Sequence, residues 1–151
     1  MDSIKRIADN RKARHDYFIE ETIEAGVELF GTEVKSIRAG ACNLRDSFCA
    51  VKGGEIFAHN VHISPYEKGN IFNREPLRPK RLLMHKKEIN RLYARIKQDG
   101  LSLIPLSVYF KRSFVKVEIG LARGKRLHDK RDADAEKSSY RDMQRRLKEG
   151  V

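Results

Sequence analysis

The chain has 151 residues, of which 40% are hydrophobic and 35% charged, with a formal net charge of +11 and a sequence pI near 9.8. That length supports one domain with a tail, and that charge favours a polyanionic partner, either nucleic acid or an anionic membrane. No apolar run reaches membrane-span length, no signal-peptide core opens the chain, and no basic amphipathic helix carries Trp or Phe on its apolar face, so nucleic acid and the cytoplasm are the expected partner and location.

The first residues, up to Arg14, are basic and short of apolar side chains, and read as a loosely held arm. From Tyr17 to Leu29 the odd positions Tyr17, Ile19, Ile23, Ala25, Val27 and Leu29 are apolar or small, while Glu20, Thr22, Glu24 and Glu28 are polar. A period of two predicts one long strand with a buried and a wet face, and Gly26 is the expected place for a kink or bulge. Thr32–Arg38, with Val34 and Ile37 three apart and glycines at both ends, predicts a short helix.

Asn43–Lys52 predicts a strand, Gly53-Gly54 a two-residue hairpin turn, and Glu55–Asn60 the returning strand, extended by 61–66 until Pro65 ends pairing. Glu67–Lys80 predicts a long basic loop carrying Lys68, Arg74, Arg78 and Lys80. Lys86–Asp99 is the clearest helix, with Ile89, Leu92, Tyr93 and Ile96 on one stripe and Gly100 closing it. Leu101–Phe110 and Ser113–Ala122 predict two strands joined at Lys111-Arg112. The order lacks parallel-sheet alternation. A mainly β chain is expected, built as a closed barrel of the OB-fold kind with flanking helices over residues 1–122.

Residues 123–151 differ: ten Lys or Arg face six Asp or Glu, with few large apolar residues. This basic tail is expected to be disordered alone. Tyr140, Met143 and Leu147 fall on one stripe among Arg141, Arg145 and Arg146, so the tail predicts a basic helix once a partner orders it.

The motifs Asn10-Arg11-Lys12-Ala13-Arg14-His15-Asp16-Tyr17-Phe18-Ile19-Glu20-Glu21, Gly31-Thr32-Glu33-Val34-Lys35-Ser36-Ile37-Arg38-Ala39-Gly40, Asn43-Leu44-Arg45-Asp46-Ser47 and Gly124-Lys125-Arg126-Leu127-His128-Asp129-Lys130-Arg131 stand in this order along the chain. Together they resemble the small protein B family, the bacterial SsrA-binding (tmRNA-binding) proteins of trans-translation, over nearly the whole length. The resemblance implies an OB-like barrel that binds the tRNA-like domain of tmRNA, acts as a monomer without cofactor, and delivers the RNA to stalled ribosomes with GTP-bound elongation factor Tu. It implies an RNA-contacting surface including Glu24 and Leu83, with His85 where the family often has Asn. It also implies that Gly124, Lys125, His128, Asp129, Lys130 and Arg131 approach the decoding centre of the small ribosomal subunit, with Tyr140, Arg141, Arg145 and Arg146 in the empty mRNA channel.

From the residues alone, Glu24 reads as a solvated strand residue or a surface ion-pair partner; the other reading is a carboxylate that accepts from base amino groups or a 2′-OH. The resemblance favours the second. Lys35 and Arg38, with Arg11, Arg14 and His15, form the expected basic patch on phosphates, which positions RNA without reading sequence, and Asn10 is a further expected RNA contact. Tyr17, Phe18 and Tyr66 are candidate stacking residues. No nucleophile elbow, phosphate loop or zinc-protease motif occurs, so no catalysis is expected. His59, His62, Cys42 and Cys49 lack the tight Cys spacing of a structural zinc site, and the two thiols are expected to be reduced. The alternative is a general OB-fold binder of single-stranded RNA whose tail only adds charge.

Overall fold

The computed structural model describes residues 4–69 and 73–125. In them the chain forms β1 (Ile4–Asp9), α1 (Arg11–Asp16), β2 (Tyr17–Val27), α2 (Gly31–Arg38), β3 (Cys42–Asn43), β4 (Phe48–Lys52), β5 (Glu55–His59), β6 (His62–Ile63), β7 (Lys80–Leu83), α3 (Lys86–Asp99), β8 (Ser102–Lys111) and β9 (Phe114–Gly124). The architecture is mainly β with flanking helices. Seven strands form one antiparallel sheet in the order β1-β8-β4-β5-β7-β2-β9, and β8 pairs with β9 as well. The two-residue strands β3 and β6 form a separate ladder.

The long strand β2 does not have one buried and one wet face. Glu20 is an extra residue: the register against β9 shifts between Ile19 and Glu21. A one-residue bulge turns the following side chains to the opposite face. Tyr17 and Ile19 therefore pack on a small cluster of Ala13, Ile104, Leu106 and Ala122, whereas Ile23, Ala25 and Val27 enter the main core with Leu82, Leu103, Ile119 and Leu121. The odd-numbered series, apolar or small at every position except Glu21, serves two cores. The expected irregularity at Gly26 falls at Glu20 instead; Gly26 pairs in register with Leu83 on one side and Lys116 on the other. A matching shift in β8, between Pro105 and Ser107, leaves Leu106 facing the small cluster and sends Val108 and Phe110 into the main core. Leu106 lies over Gly120, where a Cβ would come within 2.7 Å of Leu106 Cδ1.

The N-terminal arm is an ordered strand and helix. β1 pairs with β8 from Ile4↔Lys111 to Asp9↔Ser107, and α1 follows at once. Asn10 makes the join: its Oδ1 accepts from Ala13 N–H at 3.1 Å as the helix cap, and its Nδ2 donates to the carbonyls of Pro105 at 3.0 Å and Leu44 at 3.3 Å. Low apolar content hid this segment, because its hold is by backbone pairing and a buried amide. At the other end, β9 runs to Gly124 and Lys125 N–H donates to Asp16 O at 2.9 Å, so the expected boundary after Ala122 cuts through a strand.

The strand expected over 43–52 is two strands. Ser47 N–H and Oγ both reach Leu44 O, at 3.1 and 2.6 Å, around Asp46 in the left-handed region. This turn changes the alternation, so Cys49 is buried and Phe48 exposed. The Gly53-Gly54 turn is as expected, with φ of +60° and +77° as a type I′ hairpin requires. Residues 62–63 leave β5 and pair with β3 instead of extending it, after Asn60 at φ +60°. α3 has the expected bounds, buries Ile89 and Leu92, and ends at Gly100 in the left-handed conformation.

Lys80 does not belong to the exposed basic loop. It opens β7 with 1% exposure, and its Nζ donates to Val61 O at 2.5 Å and Pro76 O at 2.9 Å. Burial lowers its pKa from 10.5 to about 8, against the raising influence of Glu33. Between those values the unfolded chain holds a proton that the folded chain has shed, so this group contributes stability that increases with pH. Urea midpoints measured from pH 7.5 upward should therefore rise more steeply for the unaltered chain than for Lys80→Met; parallel profiles would show that Lys80 keeps an ordinary ammonium.

Candidate nucleic-acid interface

Beyond the bulge, Thr22 and Glu24 point outward from β2. Directly paired residues of antiparallel strands share a face. Glu24 stands opposite Glu118 of β9, and Gly26 between Leu83 and Lys116, so these side chains lie on one surface. Two carboxylates facing each other repel, and each has its own compensation. Glu24 Oε2 accepts a short hydrogen bond from the Tyr109 hydroxyl, and Oε1 lies 3.4 Å from Lys111 Nζ. Glu118 Oε1 lies 3.3 Å from Arg14 Nη2, which also reaches Asp9 at 3.5 Å. The Tyr109 hydrogen bond is the main influence holding the Glu24 carboxyl below the usual carboxylate range, opposed by desolvation and helped by Lys111. Burial, and then Glu24, pushes the Tyr109 hydroxyl up. The result is an ionised carboxylate fixed in direction and still 37% exposed, with acceptor capacity left for an incoming donor.

Leu83 covers Gly26 at 3.4 Å from a would-be Cβ and is itself 50% exposed. Two residues on, His85 precedes α3, exposed and without a capping hydrogen bond. Together with Glu55, Arg81, Leu82 and Met84 they line a cleft of about 330 Å³. Glu28 is turned away from such use: its Oε2 accepts from Arg81 at 2.7 and 3.1 Å.

The other expected contacts divide. Asn10 is 6% exposed with its amide engaged inside, so its place is structural. Arg11 is exposed on α1, Arg14 is held by Asp9 and Glu118, and His15 Nδ1 lies 3.1 Å from Asp16 Oδ1. Lys35 Nζ sits 5.6 Å from the Tyr66 ring centroid, and the Arg38 guanidinium 5.4 Å from that of Phe110. At the tail's root, Gly124 pairs with Tyr17, while Arg123 and Lys125 lie 4.8 and 4.9 Å from the ring centroid of exposed Phe18. His128, Asp129, Lys130, Arg131, Tyr140, Arg141, Arg145 and Arg146 lie outside the described residues. His59 stacks on Phe48 at 5.0 Å, Cys42 and Cys49 are free thiols, and burial raises the Cys42 pKa to about 11. Tyr109, Lys111 and Lys116 went unnoticed in the sequence, because only the shift at Leu106 reveals which face of β8 carries Tyr109.

The fold and site define a basic, mainly β protein whose outer sheet face presents the oriented carboxylates of Glu24 and Glu118 among Lys and Arg side chains. A family model described as SmpB protein matches residues 7–149. The SsrA-binding protein of Acetivibrio thermocellus is 59% identical over 143 residues, covering 95% of this chain and 93% of that one. The SsrA-binding protein of Clostridium kluyveri is 59% identical over 145 residues, covering 96% and 92%. A chain solved in "tmRNA-SmpB: a journey to the center of the bacterial ribosome" is similar with a TM-score of 0.67 and 48% identity, over 86% of this chain and 93% of that one. The chain belongs to the SmpB protein family.

The Glu24 environment can be checked without RNA. In Tyr109→Phe the Glu24 carboxyl, followed by carbonyl-carbon NMR, should titrate at higher pH than in the unaltered chain. An unchanged titration would mean that Lys111 alone holds the carboxylate.

Proposed function

We propose that this chain is the tmRNA-binding adaptor of trans-translation in its cell, a cytoplasmic protein without catalytic activity of its own. It binds the tRNA-like domain of tmRNA and brings it, with GTP-bound elongation factor Tu, to ribosomes stalled without a codon. Family membership at 59% identity over nearly the full chain supports this reading most directly. The circuit of pairing from β8 through β4, β5, β7, β2 and β9 back to β8 supports a closed barrel of OB-like kind as the carrier of the RNA site.

In this reading the Glu24 carboxylate accepts from a base amino group or a ribose 2′-OH, and Leu83 packs beside it on the RNA. A carboxylate on an RNA surface weakens phosphate binding, so it is useful only where it discriminates. Arg11, Lys35, Arg38 and Lys125 meet phosphates. The tail, rooted beside Phe18, carries His128, Lys130 and Arg131 toward the decoding centre and forms a basic helix in the mRNA channel.

Electrostatics alone expects tighter RNA binding whenever a carboxylate is lost. The site reading expects Glu24→Ala to weaken binding to the tRNA-like domain, and Glu28→Ala, which leaves Arg81 only its contact with Glu55, to leave it equal or tighter. Titrations should show a salt slope of roughly −0.7 to −0.9 in log K against log salt per phosphate neutralised, with preference over an unstructured RNA of equal length. Equal binding of the two RNAs would favour the general single-strand binder.

The tail is expected to separate binding from rescue. Met143→Pro, at a cost of about 3 kcal/mol or more to any helix there, should bind tmRNA normally yet fail to support tagging of stalled chains. Tagging at the unaltered rate would rule out a helical tail.

A further inference from the structure

A second cationic feature lies between α2 and the connection that follows β6. Here a cleft of about 450 Å³ opens, lined by the rings of Phe30 and Tyr66 and by Lys35, Lys68 and Arg74, with no Asp or Glu in its wall. Its size is within the roughly 300–1,000 Å³ usual for small-ligand clefts. None of these three cations forms an ion pair among the described residues.

Two arginines lie against Phe30, and they differ in kind. The Arg78 guanidinium, 4.9 Å from the ring centroid, is occupied: it donates to Glu33 at 2.6 and 3.3 Å and to the Pro79 carbonyl at 3.1 Å. The Arg74 guanidinium, 3.9 Å from the same centroid, has no carboxylate partner among the described residues. Stacking fixes its position while leaving its charge unneutralised, which preorganises it for an anion. The opposite wall is built too. Asn73 Oδ1 accepts from Tyr66 N–H at 2.9 Å, Asn73 Nδ2 donates to Tyr66 O at 2.8 Å, and Gly69 N–H donates to the same carbonyl at 2.8 Å. A Cβ on Gly69 would meet Asn73 Oδ1 at 2.5 Å and Thr32 Cγ2 at 3.0 Å, so a glycine is needed for the loop to sit on α2.

We propose that this cleft takes one unpaired nucleotide of a folded RNA, its base stacked on Tyr66 and its phosphate held among Lys35, Lys68 and Arg74. The proposal deepens the RNA-binding reading by adding a contact separate from Glu24. A ring beside unneutralised cations matches a π-face joined to a phosphate, and among the described residues Thr32 brings the one further polar side chain to the lining, so broad base tolerance is expected. An acidic peptide would satisfy the cations but make no use of the ring.

The test titrates the full chain, by amide NMR, with AMP, UMP, inorganic phosphate and a polyglutamate peptide. AMP and UMP should shift the amides of Gly31, Tyr66 and Gly69 at concentrations where phosphate and the peptide do not. Tyr66→Ala and Arg74→Ala should abolish that preference, and Tyr66→Phe should retain it. In RNA titrations, Tyr66→Ala should weaken binding of the tRNA-like domain about five- to tenfold, the lower range for loss of one stacked base, with Tyr66→Phe within about twofold of the unaltered chain. Equal shifts with phosphate would reduce the cleft to an anion site, and shifts with the peptide alone would assign it to a protein; either result overturns the proposal. If the mononucleotides bind there while the tRNA-like domain does not bind the protein, the tmRNA reading fails and the cleft stands. If the RNA binds and the Tyr66 variants are indistinguishable, the cleft fails and the tmRNA reading stands.

Discussion

The contact on which the rest of the molecule depends is Leu106 lying over Gly120, beside the shifts in β2 and β8. A side chain at position 120 would collide with Leu106 and crowd Ile19. With glycine there, both long strands change face close to one place, and the sheet acquires a small second cluster under α1 in addition to its main core. The same reversal places Tyr109, which would otherwise be expected to face inward with Phe110 facing out, on the same sheet face as Glu24, buried with its hydroxyl on that carboxylate. The fixed direction of the Glu24 carboxylate is thus a consequence of backbone register two strands away. Asn10 is bound into the same arrangement through the Pro105 carbonyl, at the point where β8 shifts.

Electrostatic organisation follows from which acids are occupied. Glu20 and Glu21, adjacent at the bulge, engage Arg95 and Arg91 of α3, with Arg91 donating to both carboxylate oxygens of Glu21 at 2.7 and 3.1 Å. Glu28 holds Arg81, and Glu33, buried, holds Arg78. Exposed pairs of this sort add little stability each, typically under about 1 kcal/mol. Their larger effect is on charge distribution. The acids of β2 and α2 neutralise arginines that fix α3 and the 67–80 connection, while Lys35, Lys68 and Arg74 form no ion pair among the described residues. In a chain of net charge +11, the location of the neutralised positive charge matters as much as its total.

Much of this was readable from the residues. The helix at 86–99, the Gly-Gly hairpin, the two long C-terminal strands and the length of β2 all follow from periodicity and turn chemistry, because each is a local signal. What escaped was non-local. The alternation over 17–29 is broken only by Glu21, and a single polar residue on the apolar phase does not by itself show that the strand changes face. β1 has too few apolar residues to announce itself and exists because β8 offers it a partner. Lys80 reads as a loop charge, and only the carbonyls of Val61 and Pro76, brought together by the fold, make its burial possible. Glu24 and Leu83 were legible through family resemblance, whereas Tyr109, Lys111 and the Phe30–Arg74 stack required coordinates.

β1 has one further consequence, for association between copies. It lies at the edge of the seven-strand order, and among the described residues only its β8 side is paired. An open strand edge invites the same strand from a neighbouring molecule. Here the edge is six residues long, is interrupted by a register shift between Arg6 and Ala8, and carries Lys5 and Arg6 in sequence. The register shift and the two adjacent cations make this edge a poor template for a regular ladder. The charge and the register shift of β1 thus oppose edge-to-edge pairing at the very segment that exposes an unpaired backbone.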